Sequence, residues 1–168
     1  MDSTAIFNGR VFSSPFASRF EYNIDMLDYR LKKLMSIDTF NKDNMQEFQL
    51  TFDAAMVLFR SIFLENRKDN YTMQNYFRLT GREDTAEQLD ALFNRPFVSY
   101  MDKSIRDVFK FIIDKFVCHQ DNVTLEDIGL CNAWMADLNN PYFENNLRHI
   151  VNEISNIIDN APKLSYNQ

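Results

Sequence analysis

From Met45 to Phe63 the apolar side chains return every three or four residues: Met45, Phe48, Phe52, Ala55, Met56, Phe59, Ile62 and Phe63. That interval is the repeat of one face of an α-helix, and it conflicts with the two-residue alternation of a half-buried strand. Asp43 stands just before it, with Gln46 three residues on, the form of a capping box that starts a helix. The stripe predicts a helix to about Arg67. The same spacing recurs at Ile24, Leu27, Leu31, Leu34 and Met35, with charges between.

Further along, Thr72 is predicted to cap a short helix over Met73, Tyr76 and Phe77, which Gly81 closes. Thr85 is predicted to open another, carrying Leu89, Leu92 and Phe93 and stopping before Pro96. A long helix is expected from Ser99 to Cys118. Thr124 with Asp127 predicts the next start, followed by Leu125, Ile128, Cys131, Met135 and Leu138. Gly129 weakens that helix by about 1 kcal/mol relative to Ala. Asn140 and Pro141 predict the start of the last one, with Pro at the favoured first position. Leu147, Ile150, Val151, Ile154, Ile157 and Ile158 carry it to Asp159. Three to four long antiparallel helices with short connecting helices define an all-α helical bundle. No run alternates clearly enough to require a sheet.

The 168 residues fit one domain, expected over 23–160. Residues 1–22 carry Phe7, Val11, Phe12, Phe16 and Phe20 without a steady period, and Ser13-Ser14-Pro15 breaks any helix there. They are expected to form an aromatic arm that docks on the domain or on a second subunit. Residues 161–168 are expected to be a flexible tail.

Composition removes several functions. Three Gly are well under the usual share of about 7%. Neither GxGxxG nor GxxxxGK[ST] occurs, so dinucleotide and P-loop phosphate cradles are excluded. A net charge of −6 argues against a broad, non-specific grip on nucleic acid. Cys118 and Cys131 form no zinc pattern and no disulfide framework, and they suit a reducing cytoplasm. No apolar run reaches the ~20 residues of a membrane span, and no signal peptide is evident. No metal and no cofactor is expected.

What resembles chemistry is the end of the 99–118 segment. At about 100° per residue, Met101, Ile105, Val108, Ile112 and Phe116 line up with His119, and Lys115 lies one turn earlier. His119 reads either as a helix C-terminal or packed side chain, or as a general acid/base near neutral pH. Lys115 would then hold a phosphate. Lys103, Arg106 and Lys110 fall opposite and read as a solvated face, with Asp102 and Asp107 as ion-pair partners. His149, with Glu144 and Glu153 nearby, reads as a surface histidine that Glu153 can pair. Asp53 is expected to face solvent. Glu65, Asn66 and Arg67 end their helix and could meet the 99–118 helix in a bundle. Trp134 and the Phe stripes are expected core.

The segment Asp114-Lys115-Phe116-Val117-Cys118-His119 resembles the end of the motif helix of the HEPN superfamily. Its members are small all-α domains linked to toxin–antitoxin and phage-defence functions. Active members are metal-independent ribonucleases that dimerise with two motif helices facing across a composite site. The resemblance implies His119 as catalytic residue, Lys115 and Asp114 in binding, a homodimer and an RNA or nucleotide ligand. The family's Arg would fall at Ile113, which offers neither charge nor donor. The chain therefore reads as a HEPN-like domain with a degenerate ribonuclease centre, binding RNA, a nucleotide or a partner protein. One alternative is an active ribonuclease using His119. Another is a structural interaction module.

Overall fold

The computed structural model of the chain describes residues 4–7, 10–13, 17–38, 41–65, 72–97, 102–118, 123–144 and 146–162. The fold is all-α, with a small N-terminal hairpin added. The chain divides into two compact units. One holds the described residues up to Thr72, and the other holds Met73–Pro162.

In the first unit β1 (Thr4–Phe7) and β2 (Arg10–Ser13) pair antiparallel, with Phe7 opposite Arg10, and β1 lies against α1. No sheet is expected from alternation, but four residues per strand are too few to show it. α1 (Ala17–Ser36) begins inside the expected arm and runs on past residue 22. It buries Leu27, Leu31 and Leu34. α2 (Met45–Phe59) buries Phe48, Phe52, Ala55, Met56 and Phe59, and continues as a π-helical turn over Arg60–Leu64. There Ile62, Phe63 and Leu64 are also buried, and the Phe59 and Phe63 rings meet at 5.2 Å. The two helices run antiparallel. Lys33 near the end of α1 pairs with Glu47 near the start of α2 at 2.8 Å, and the Arg30 guanidinium donates to the Ala54 carbonyl at 2.7 Å. The start of α2 corrects the sequence expectation. The cap is the Asn41 side chain, which accepts the Asp43 N–H at 3.0 Å, and Lys42–Asn44 form a 3-10 turn before Met45. Asp43 is thus inside the turn and cannot serve as its cap.

The second unit packs α3 (Met73–Leu79), α4 (Glu83–Asn94), α5 (Ile105–Ile112), α6 (Leu125–Asn139) and α7 (Leu147–Asp159). Phe77, Leu89, Phe93, Phe97, Ile105, Val108, Phe109, Ile112, Trp134, Ile150 and Ile158 fill its core. Gly81 ends α3 as expected. Its φ of 71° lets the chain make a Schellman close, with Gly81 N–H to the Arg78 carbonyl at 3.1 Å and Arg82 N–H to the Phe77 carbonyl at 2.8 Å. That close delivers the chain straight into α4, so α4 starts at Glu83 rather than Thr85. Glu83 and Asp84 in its first turn suit the positive end of the helix dipole.

α5 starts at Ile105, not Ser99. Pro96 and Ser104 form a short antiparallel bridge, supported by Phe97 N–H to the Lys103 carbonyl at 2.7 Å and Ile105 N–H to the Arg95 carbonyl at 2.9 Å. Arg95 and Ser104 are accordingly held in extended backbone, which keeps the helix from starting earlier. Ser104 then caps the helix in a reciprocal box with Asp107. The Ser104 hydroxyl accepts the Asp107 N–H at 3.1 Å and donates to its carboxylate at 2.6 Å. The hydroxyl, first of all, holds the Asp107 carboxyl below the usual carboxylate range. Because the folded value is depressed, this stabilisation is present above the unfolded pKa and lost as pH falls through the folded one. Ser104→Ala is expected to cost about 1 kcal/mol in urea unfolding at neutral pH, with a smaller difference from the parent chain in acid.

Thr124 caps α6 with Asp127, as the sequence predicts. The last helix does not start at Pro141. The Asn140 side chain accepts the Tyr142 N–H at 3.0 Å, and Asn146 Nδ2 donates to the Asn140 carbonyl at 3.1 Å. Those bonds offer the backbone a turn in place of a helix. Asn146 then caps α7 by accepting the His149 N–H at 2.9 Å.

Candidate functional site

The candidate site is the C-terminal continuation of α5. There the helix widens into a π-helical turn over Ile113–Cys118. Such turns close five residues on instead of four, so each residue advances the chain by less rotation than in an α-helix. The 100° projection used to align His119 with Ile105 and Ile112 therefore does not carry through this segment. His119 lies outside the described residues, as do Asn66, Arg67 and the Cys118 side chain.

Two rings anchor the turn. Phe111 meets Trp134 of α6 edge-on at 4.8 Å and Phe116 at 6.3 Å. Ile113 is fully buried. Asp114 is half-buried. The Lys115 ammonium lies 3.6 Å from Asp127 Oδ2, with the lysine side chain 38% exposed and the aspartate 16%. Ile113 and Lys115 thus point to different environments, and Lys115 does not reach the place that the Ile113 side chain fills.

Asp127 is engaged twice over. Its carboxylate accepts the Thr124 N–H at 3.0 Å, and its own N–H donates to Thr124 Oγ1 at 3.0 Å. The Thr124 N–H, more than the lysine, holds this carboxyl below the usual range. At 3.6 Å the lysine contact is an ion pair too long for a good hydrogen bond. The capping box does not need Lys115, so an anion can take Lys115 without unmaking the start of α6.

Of the basic ladder expected opposite His119 as a solvated face, Lys103 is exposed and Lys110 half-buried, but Arg106 departs from it. Arg106 is buried, its guanidinium donates to Asp90 of α4 at 2.9 Å, and it lies 5.5 Å from the centre of the Phe93 ring. Asp90 takes the place expected of Asp102. The same carboxylate accepts from Arg78 of α3, which also pairs with Glu83 at 3.2 Å. Arg82 is buried too, over the Tyr76 and Phe77 rings, with Thr80 Oγ1 accepting from it at 3.0 and 2.8 Å. Sequence reasoning misses this network because its members lie on three helices, with no motif spacing to connect them. The Arg78 and Arg106 charges are matched by Asp90 and Glu83 within the fold, which makes the network structural.

The remaining candidates resolve simply. Glu153 pairs with Arg95 in a two-pronged contact at 3.0 Å each rather than with His149, which is exposed. Asp53 is only half-exposed, accepts from Gln49 at 2.7 Å, and has its carboxyl pushed up by burial. Glu65 pairs with Arg60 at 2.9 Å. Cys131 is buried with its thiol pushed up to about 11, so it is protonated at neutral pH and a poor nucleophile. Trp134 is core, as expected. Among the described residues no cluster of His, Cys, Asp and Glu could hold a metal, and no helix is long and apolar enough to cross a membrane. Comparisons with family models, with curated proteins and with solved structures give no match.

Proposed function

We propose that the chain is a HEPN-like helical domain with a degenerate ribonuclease centre, which binds RNA or a nucleotide through Lys115 without cutting it. The observation that carries the reading is the contrast between neighbours. Ile113, at the position of the family's Arg, is sealed in hydrocarbon, whereas Lys115 is partly exposed and loosely held. An arginine's work at a scissile phosphate needs a charged, forked donor at the surface, and a buried isoleucine supplies none. A single lysine can still contact a phosphate as a point charge. His119 and Asp114 complete the proposed site.

The reading requires saturable binding of single-stranded RNA or a nucleoside triphosphate in fluorescence anisotropy. Affinity should fall with salt, and by about tenfold in Lys115→Ala. Absence of any such binding rejects it. Metal-independent cleavage that disappears in His119→Ala would instead establish an active ribonuclease. A second reading, a protein-interaction module, is favoured by the net charge of −6 and by the pairing of Lys115 with Asp127. It predicts no RNA binding at low salt.

A further inference from the structure

Both helices of the first unit carry two apolar stripes, and only one stripe of each is buried. On α1, Leu27, Leu31 and Leu34 are buried, while Tyr22, Met26 and Tyr29 repeat the same four-then-three spacing elsewhere on the helix. Tyr22 is 64% exposed and Tyr29 62%. On α2 the buried Phe48, Phe52, Ala55 and Phe59 are matched by Leu50, Ala54 and Val57, again spaced four then three. Leu50 is 65% exposed and Val57 46%. At about 100° per residue, each second stripe lies nearly opposite the buried one. Lys33 and Ala54, which tie the antiparallel helices together, border these stripes. The two stripes therefore flank one seam on the same side of the pair. Scattered exposed apolar residues are ordinary, but here two apolar stripes border one seam, which the Lys33–Glu47 pair and Arg30 cross.

We infer that this surface binds a second copy of the chain, with α1 packed antiparallel on α1 about a two-fold axis near Tyr29. The charges on α1 identify the occupant. Asp25 precedes Tyr29 by four residues and Lys32 follows it by three, so both lie on one flank of the stripe. A two-fold antiparallel pairing sets Asp25 of one copy against Lys32 of the other, and does so twice. Among the described residues Asp25 has no ion pair. Lys32 contacts Asp28 one turn back on its own helix and is 69% exposed at the side chain, so it is free to swing across. The paired Tyr29 rings meet at the axis, with Leu50 and Val57 extending the apolar area on either side. The inference stands apart from the RNA-binding reading and uses none of its residues.

Analytical ultracentrifugation of the full chain over a concentration series tests it. The expected result is a monomer–dimer equilibrium that Tyr29→Glu weakens by about a hundredfold. Asp25→Lys and Lys32→Asp should each weaken it by about tenfold, and the two together in one chain should restore it to within about threefold of the parent. All three interface positions are exposed or paired only locally, so circular dichroism should be unchanged. Lys115→Ala should leave the equilibrium where it is. A monomer at every concentration, a dimer indifferent to Tyr29→Glu, or a double reversal no better than its singles would overturn the interface.

Discussion

Ile113→Arg is expected to unfold the second unit, not to switch on a nuclease. An arginine here would complete the resemblance on paper, but Ile113 is fully buried at the start of the π-helical turn. A guanidinium there loses its water and displaces packed hydrocarbon. The combined loss of packing and desolvation of a charge places the cost at about 4 kcal/mol or more, among the largest single-residue effects. Chemical denaturation followed by circular dichroism measures it, with an RNA cleavage assay on the same sample. A well-folded variant that cuts RNA without metal would show that the side chain can reach the surface, and the degenerate reading would fall. Lys115→Ala is the contrasting control. Its side chain is more than a third exposed and its ion pair long, so stability should change by less than about 1 kcal/mol.

Asp90→Ala has the second largest expected effect. One carboxylate serves Arg106 of α5 at 2.9 Å and Arg78 of α3. Arg106 is nearly enclosed, its side chain 9% exposed, and cannot turn to water when the acid is removed. Removing one partner of a buried pair typically costs about 3–5 kcal/mol. Because Asp90 itself is 31% exposed, solvent screens part of the interaction and about 2–3 kcal/mol is the expectation here. Arg78→Ala should cost under about 1 kcal/mol, since that side chain is already 36% exposed. The double variant Asp90→Ala with Arg106→Met separates the causes. It should be more stable than Asp90→Ala alone, because the buried charge that lost its carboxylate has gone. If the two changes simply add, the network is not coupled and the damage in Asp90→Ala is loss of packing.

Much of the helical architecture is legible from local signals. The stripes of α1, α2 and α7, the Thr124–Asp127 box, the turn at Gly81 and the stop before Pro96 all arise within a few residues, and each appears where the spacing puts it, save that Met45 at the head of the α2 stripe is exposed. Three of the missed starts, those of α2, α5 and α7, share one cause. Asn41, Ser104 and Asn146 win the caps because neighbouring backbone is claimed first by a 3-10 turn, a short bridge and an asparagine-braced turn. The hairpin had a usable signal that alternation alone does not reveal. Asn8-Gly9 between Ile6-Phe7 and Val11-Phe12 is the strongest short cue for a two-residue connection, and the observed register of Phe7 with Arg10 agrees with it.

The chemistry-bearing letters are visible in the chain, but their environments are not. Arg106 and Lys115 lie nine residues apart and carry the same charge, yet Arg106 is locked inside an α3–α4–α5 network and Lys115 rests lightly on a helix cap. No local rule separates them, because burial depends on which helix arrives from elsewhere in the sequence. Periodicity and capping by themselves determined that this chain is helical and roughly where its long helices run, since both act within one or two turns. Tertiary packing alone decided that Ile113 is core, that Arg106 of the basic ladder is buried in a clamp, and that α1 and α2 keep a second apolar stripe in solvent. Those outcomes depend on long-range desolvation, which a string of residues does not specify until its distant parts have met.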